Sequence, residues 1–200
     1  MIEVKQDGAM LMVTLNRPDK ANALTPEMLS DLVEIYRNAD AKVIILTGAG
    51  GVFSAGADLD AARAGLATSP LWEQLSGAIS AHAGLTIAAL NGTLAGGAFG
   101  MALACDLRIA VPNAKFFYPV MKLGFLPQPS DPARLRDLIG PARAKMILMA
   151  GQKVLADEAL QWGLIDRIVA ADMLLEAATA LGQDVMVAAQ GHAAGIKGMI

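Results

Sequence analysis

From Gln74 to Cys105 the chain carries no Lys, Arg, Asp or Glu. So long an uncharged stretch has to be buried, in a folded core or in a bilayer. Gly92, Gly96 and Gly100 recur in it at every fourth position, a spacing that lets membrane helices approach closely. Asn91-Gly92-Thr93 and Gly96-Gly97, however, break the run in its middle, and Asp106 and Arg108 follow it without an interfacial Trp or Tyr. The stretch is therefore expected to be a buried strand, a glycine-rich turn and a buried helix, with no membrane span.

The remaining sequence can build the core this requires. Two hundred residues make one domain, 54% hydrophobic and 18% charged, which excludes a disordered chain. A net charge of −3 leaves no basic excess to neutralise phosphates, and 4% aromatics offer little to stack on bases, so nucleic acid is not an expected partner. One cysteine excludes a disulfide framework, and two histidines leave little for a metal site. Met1 runs directly into Ile2-Glu3-Val4-Lys5 without a basic-then-apolar leader. A cytoplasmic location is expected, and the lone Cys105 agrees with a reducing compartment.

The spacing predicts alternating strands and helices. Residues 2–6 and 9–15 read as a hairpin around Asp7-Gly8. Thr25-Pro26-Glu27 opens a helix to about Asn38, and Val43 to Leu46 is an apolar β-branched strand. A helix from Ser69-Pro70 to near Gly84 precedes a strand over 86–90, and Gly96-Gly97 precede a helix over 98–104. Strands follow at 107–110 and 115–117. Asp131-Pro132 starts a helix to Ile139, with Gly140-Pro141 before the next. Ala156 to Trp162 is a helix closed by Gly163, Leu164 to Val169 a strand, and the chain from Asp172 is helical. Such alternation implies an α/β fold with a largely parallel sheet.

Two glycine-rich turns follow buried strands: Phe53-Ser54-Ala55-Gly56-Ala57-Asp58 and Asn91 to Gly97. Carboxyl ends of strands are where α/β folds place ligands. The first N–H groups of a following helix lack partners, and two such sets converging would hold an anion. The same glycines also suit a tight strand-to-helix turn with no ligand. Dinucleotide and nucleotide signatures fail: Gly48-x-Gly50 is followed by Phe53 where a third glycine belongs, and no Walker lysine motif occurs. Ser54 lacks the glycine two residues before it that a nucleophile elbow needs.

Four stretches in order resemble the enoyl-CoA hydratase/isomerase family of the crotonase superfamily: Leu15-Asn16-Arg17-Pro18-Asp19-Lys20-Ala21-Asn22-Ala23-Leu24; Val43 to Gly48 leading to Phe53-Ser54-Ala55-Gly56-Ala57-Asp58-Leu59; Ile87 to Gly92 with Gly96-Gly97 and Cys105-Asp106; and Ala156-Asp157-Glu158-Ala159 with Trp162-Gly163-Leu164-Ile165-Asp166. The resemblance covers about residues 1–170. It implies a crotonase-like spiral of ββα units over residues 1–170, a shortened helical C-terminal segment over 171–200, and a homotrimer or dimer of trimers. It implies an acyl-CoA thioester as substrate, no resident cofactor, and an enolate held by the backbone N–H groups of Ala57 and Gly97. Oxyanion donors of this kind are each worth about 2.7–4 kcal/mol in acyl transfer. By motif position the CoA contacts are Lys20, Ala21, Ala23, Ala55, Asp58 and Leu59. The acyl pocket would take in Gly96, Gly100, Pro119, Val120 and Gln128.

The departures bear on the reaction. The two glutamates of the family's hydratases fall at Gly100 and Val120, neither of which titrates, so hydration by that route is contradicted. Decarboxylation, thioester hydrolysis or carbon–carbon bond chemistry, as a lyase, isomerase or hydrolase of fatty-acid type metabolism, would suit an oxyanion hole alone. Gly100 would leave room for bicarbonate or water. A non-catalytic acyl-CoA-binding or assembly protein fits the same residues. Asp131 is a candidate acid, but also suits helix capping before Pro132. Tyr118, near the second lost glutamate, is a candidate donor or a packing residue. Asp58 suits loop-holding or capping and Asp106 a structural part. His82 suits a solvent or interface position, and Cys105 an inert buried thiol.

Overall fold

The computed structural model describes residues 1–200. Gly8, in the left-handed region at φ +55°, turns strand β1 (Ile2–Asp7) back against β2 (Met10–Leu15), as the hairpin signal requires. Helix α1 (Pro26–Asn38) starts where expected. Thr25 accepts from the Met28 N–H at 3.3 Å, and Pro26 occupies the first turn. Its buried stripe, Met28, Leu29, Leu32, Val33 and Tyr36, faces the core and carries the chain back to β3 (Val43–Gly48), parallel to β2.

From there the chain repeats one unit. A long strand is followed by a short one that turns away from it, and then by a helix. The units are β3, β4 (Val52–Ser54), α2 (Leu59–Arg63) and α3 (Leu71–Ser80); then β5 (Leu85–Leu90), β6 (Thr93–Ala95) and α4 (Phe99–Ala104); then β7 (Leu107–Ala110), β8 (Lys115–Phe117), α5 (Val120–Leu123) and α6 (Asp131–Leu148). The long strands join a six-stranded sheet ordered β1-β2-β3-β5-β7-β10, closed by β10 (Arg167–Ile168), and the short ones a four-stranded sheet ordered β4-β6-β8-β9, closed by β9 (Val154–Leu155). Asn91 ties the corners: its Oδ1 accepts from Gly48 N–H at 3.0 Å and its Nδ2 donates to Gly50 O at 2.9 Å. This is the expected spiral of ββα units.

Several boundaries differ. The three-residue strands β4 and β6 lie where the sequence reads only as turns, because so short a run has no period. Helix α3 ends at Ser80, short of Gly84. Helix α6 kinks at Gly140 (φ +79°), ahead of Pro141, as its punctuation predicts. The strand expected over 164–169 is only β10 (Arg167–Ile168), which pairs with β7. Leu164 and Ile165 are buried in the turn that follows β9 (Val154–Leu155) and α7 (Ala156–Trp162).

The last segment packs on the same core. Helix α8 (Leu174–Val187) buries Leu174, Ala178 and Gly182 over β3, β5 and β7. Lys42 Nζ donates to the carbonyls of Met186 and Ala188 at its end. Helix α9 (His192–Lys197) is tied down by Lys197, 2.8 Å from Asp106. No helix is long and apolar enough to cross a membrane.

Candidate active site

The loop from Arg17 to Leu24 is laced to the turn after β4. Leu24 N–H donates to Gly56 O at 2.7 Å, Asp58 N–H to Leu24 O at 2.8 Å, and Ala55 N–H to Ala21 O at 3.0 Å. Ala21 and Asn22 both hold positive φ, +51° and +52°, uncommon for residues with a Cβ. Asn22 makes that bearable. Its Oδ1 accepts from Arg17 N–H at 2.9 Å, and its Nδ2 donates to Ala49 O and Val52 O. Ser54 Oγ donates to Asn22 O at 2.8 Å, so the serine is a loop fastener and no nucleophile. The predicted positions Lys20, Ala21 and Ala23 thus come together with Ala55, Asp58 and Leu59.

Asp58 holds that loop. Its Oδ1 accepts from the N–H groups of Asp60 and Ala61, capping α2, and its Oδ2 accepts from Arg17 at 2.8 Å. The Arg17 hydrogen bond keeps its carboxyl below the usual carboxylate range.

The two glycine-rich turns meet backbone to backbone. A Cβ on Gly56, at φ +93°, would lie 2.9 Å from Ala95 O and 3.4 Å from Gly97 N. Only glycine tolerates both the conformation and the approach. The Ala57 N–H finds no acceptor within the chain, and no acceptor for the Gly97 N–H stands outside the helices and strands. Both line one cleft, with Ala55, Leu59 and Gly96 on one side and Phe117 to Val120 and Gln128 on the other. Leu123, Phe125 and Leu126 form an apolar rim, and Leu126 is 88% exposed. Trp72 lines the cleft beside Gly97, its ring held by an Nε1–H to Leu66 O bond of 2.7 Å. Two backbone donors in an apolar cleft can receive a polarised carbonyl oxygen, with apolar chain beyond it. Lys20, Ala21 and Ala23, on the Arg17–Leu24 loop, and Asp58, at the start of α2, are outside the lining.

Below the cleft lies a group that capping logic misplaces. Asp131 does not cap α6: Ser130 stands at the N-cap, its side chain makes no capping bond, and the Asp131 carboxylate turns inward and is fully buried. Oδ2 accepts from Tyr118 O–H at 3.0 Å, while Oδ1 has no partner. Burial pushes its carboxyl up to about 7. Tyr118, stacked on Phe99, lines the cleft, and its hydroxyl also receives the Gln128 N–H at 3.4 Å. Burial and then the Asp131 charge raise its phenol well above its ordinary range.

Gly100 needs correction as an open pocket position. It is buried and absent from the cleft lining, and a Cβ there would meet Asp131 Oδ1 at 3.0 Å. The Asp131 carboxylate stands against Gly100, where a side chain at that position would begin. Val120 lines the cleft as an apolar group. His82 is also corrected, being buried with its imidazole lowered by burial. Cys105 is inert as expected, buried with its thiol pushed up to about 12 by burial. Asp106 is structural, accepting from Thr86 N–H and Oγ1–H and pairing with Lys197.

Trp72, Phe117 and the 123–126 rim carry no sequence signal of their own, since apolar residues at such spacing read as core. The interlocked turns and a two-sheet spiral define the class: a crotonase-fold protein. The model for enoyl-CoA hydratase/isomerase matches residues 5–200. A carnitinyl-CoA dehydratase of Citrobacter koseri is 36% identical, covering 95% of this chain and 76% of that protein. The Escherichia coli protein of the same name is 35% identical, covering 98% and 78%. Among solved structures, Pseudomonas aeruginosa DspI superposes with a TM-score of 0.90 at 30% identity, over 99% of this chain and 85% of that one. The enoyl-CoA hydratase of Bacillus anthracis gives 0.84 at 32%, over 92% and 76%. The chain belongs to the enoyl-CoA hydratase/isomerase family and is of its acyl-CoA-processing kind.

Proposed function

We propose that this chain binds an acyl-CoA thioester with its carbonyl oxygen between the N–H groups of Ala57 and Gly97 and stabilises the enolate that forms there. The observation that carries the reading is the pair of backbone donors on interlocked turns, facing one apolar cleft. Donors fixed before the reaction cost no reorganisation as charge develops, which is what oxyanion stabilisation requires. Lys20, Ala21, Ala23, Ala55, Asp58 and Leu59 form the CoA side. Gly96, Pro119, Val120 and Gln128, with Leu123, Phe125 and Leu126, take the acyl side. Hydration by two glutamates is not its reaction, because Gly100 and Val120 supply no carboxylate.

Acetoacetyl-CoA tests this without turnover, because its enolate absorbs in the near ultraviolet. The expected result is a rise in enolate absorbance on binding, abolished in Gly97→Pro, which removes one donor. Circular dichroism checks that the variant is folded. Absence of binding, or an enolate signal unchanged in folded Gly97→Pro, would overturn the reading. Binding with an enolate signal but no turnover across crotonyl, malonyl-type and β-keto thioesters would leave an acyl-CoA-binding protein in place of an enzyme.

A further inference from the structure

The carboxylate missing at position 100 has a counterpart from another element. Asp131 comes from the first turn of α6, yet its Oδ1 sits 3.0 Å from where a side chain at Gly100 would begin. A glutamate at 100 would crowd the Asp131 carboxylate at its first carbon, so the aspartate stands where that glutamate would begin. The buried Oδ1 has no partner, and Oδ2 touches Tyr118, whose ring lines the cleft with Ala57 and Gly97.

We propose, resting on the enolate reading above, that Tyr118 is the group that exchanges a proton with the thioester α-carbon and that Asp131 acts through it as its proton acceptor and donor. In the forward sense the α-carbon–hydrogen bond breaks and its electron pair moves to the thioester oxygen, held by Ala57 and Gly97. The proton forms a bond to the Tyr118 oxygen while the Tyr118 hydroxyl proton passes to Asp131 Oδ2. The reverse sense returns a proton to the α-carbon, and Asp131 exchanges its own with solvent. The Gln128 N–H, already directed at the Tyr118 oxygen, steadies the charge that builds there in passing. One proton route replaces two glutamates, which fits reactions that move one proton at an enolate.

The groups facing Asp131 set its pH response. Tyr118 lies against it, Arg134 is one turn on along α6, and Glu73 approaches from α3, bound to Ser130. Helix α4 offers Gly100 and no titratable side chain. Burial outweighs the Tyr118 hydrogen bond and Arg134, so the carboxylate forms only as pH rises through about 7.

The test is deuterium entry at the α-carbon of butyryl-CoA in D₂O, read by mass spectrometry. Wild type is expected to exchange, with a rate that rises through about pH 7. Tyr118→Phe and Asp131→Asn are each expected to lose about a hundredfold or more, while binding butyryl-CoA within a few-fold of wild type. Gly100→Glu combined with Asp131→Gly returns a carboxylate to the same space from α4 and should recover part of the rate, which no purely structural role for Asp131 would allow. Exchange that persists in folded Asp131→Asn or Tyr118→Phe would overturn the proposal. So would a wild type that binds the thioester and raises the acetoacetyl-CoA enolate signal without exchanging. A wild type that binds no thioester removes the enolate reading itself, and the proposal with it.

Discussion

At the scale of single residues, Asp131 is a carboxyl buried away from solvent with one oxygen unpartnered. Its folded-state value of about 7 against about 3.9 unfolded corresponds to about 4 kcal/mol between the two protonation states. The folded state binds the proton more tightly, so this contribution is complete below about pH 4. It is lost as pH rises to about 7, leaving the protein less stable at pH 8 than at pH 5. Asn at 131 keeps the bond from Tyr118 and carries no charge, at the cost of a buried amide without a full set of partners. Urea unfolding of Asp131→Asn should therefore show little dependence on pH between 5 and 8, and at pH 8 a stability equal to or above that of wild type. A steep residual dependence would assign the pH response to other groups. Carboxylates kept at such expense cluster at functional sites. Little of this is legible in the sequence. An Asp before Pro132 reads as a helix cap, and its partner lies 13 residues away in the connection between β8 and α5. The donors at Ala57 and Gly97 are legible because they belong to local turns, whereas the Tyr118–Asp131 contact exists only once α6 has folded back over α4.

At the scale of elements, the site depends on two turns pressed together, each set by a strand only three residues long. The long strands β3 and β5 are legible as unbroken apolar runs, since both faces are covered. β4 and β6 are not, because three residues cannot display alternation. Their pairing is dictated by the corners and by Asn91 rather than by their own composition. Gly56 tests the dependence. Alanine there adopts φ +93° at a steric cost and pushes against Ala95 O from 2.9 Å. Gly56→Ala should lose about 2–3 kcal/mol of stability and, because the displaced backbone is the one that leads to Gly97, most of the acetoacetyl-CoA enolate signal. Gly51→Ala, where a Cβ meets nothing within 4 Å, should stay within about 0.5 kcal/mol of wild type and keep the signal. Equal effects at the two positions would show that the contact between the turns does not hold the site.

At the scale of the whole molecule, α8 packs on β3, β5 and β7 of the six-stranded sheet, α1 packs on α3, and a single apolar cluster runs from Met10 through the strands to Ala178. The stripe Leu174, Ala178, Gly182 was legible only as an alanine-rich helix. Which sheet face it would cover depends on Val43, more than a hundred residues earlier in the chain. Gly182 lets α8 lie so close that a Cβ there would come within 2.8 Å of the Val43 Cγ1 atom. Val43 is fully buried and β-branched, so it has no rotamer into which to retreat. Gly182→Val should overpack this contact and lose about 1–3 kcal/mol, partly offset by leaving the poor helix former glycine. For a chain of this length that is a fall of about 3–10 °C in melting temperature. If α8 belongs to the same cooperative unit as the sheets, near- and far-ultraviolet circular dichroism should still follow one coincident transition. A helical signal lost ahead of the tertiary signal would instead mean that α8 detaches first, and that the core holding the cleft folds without it.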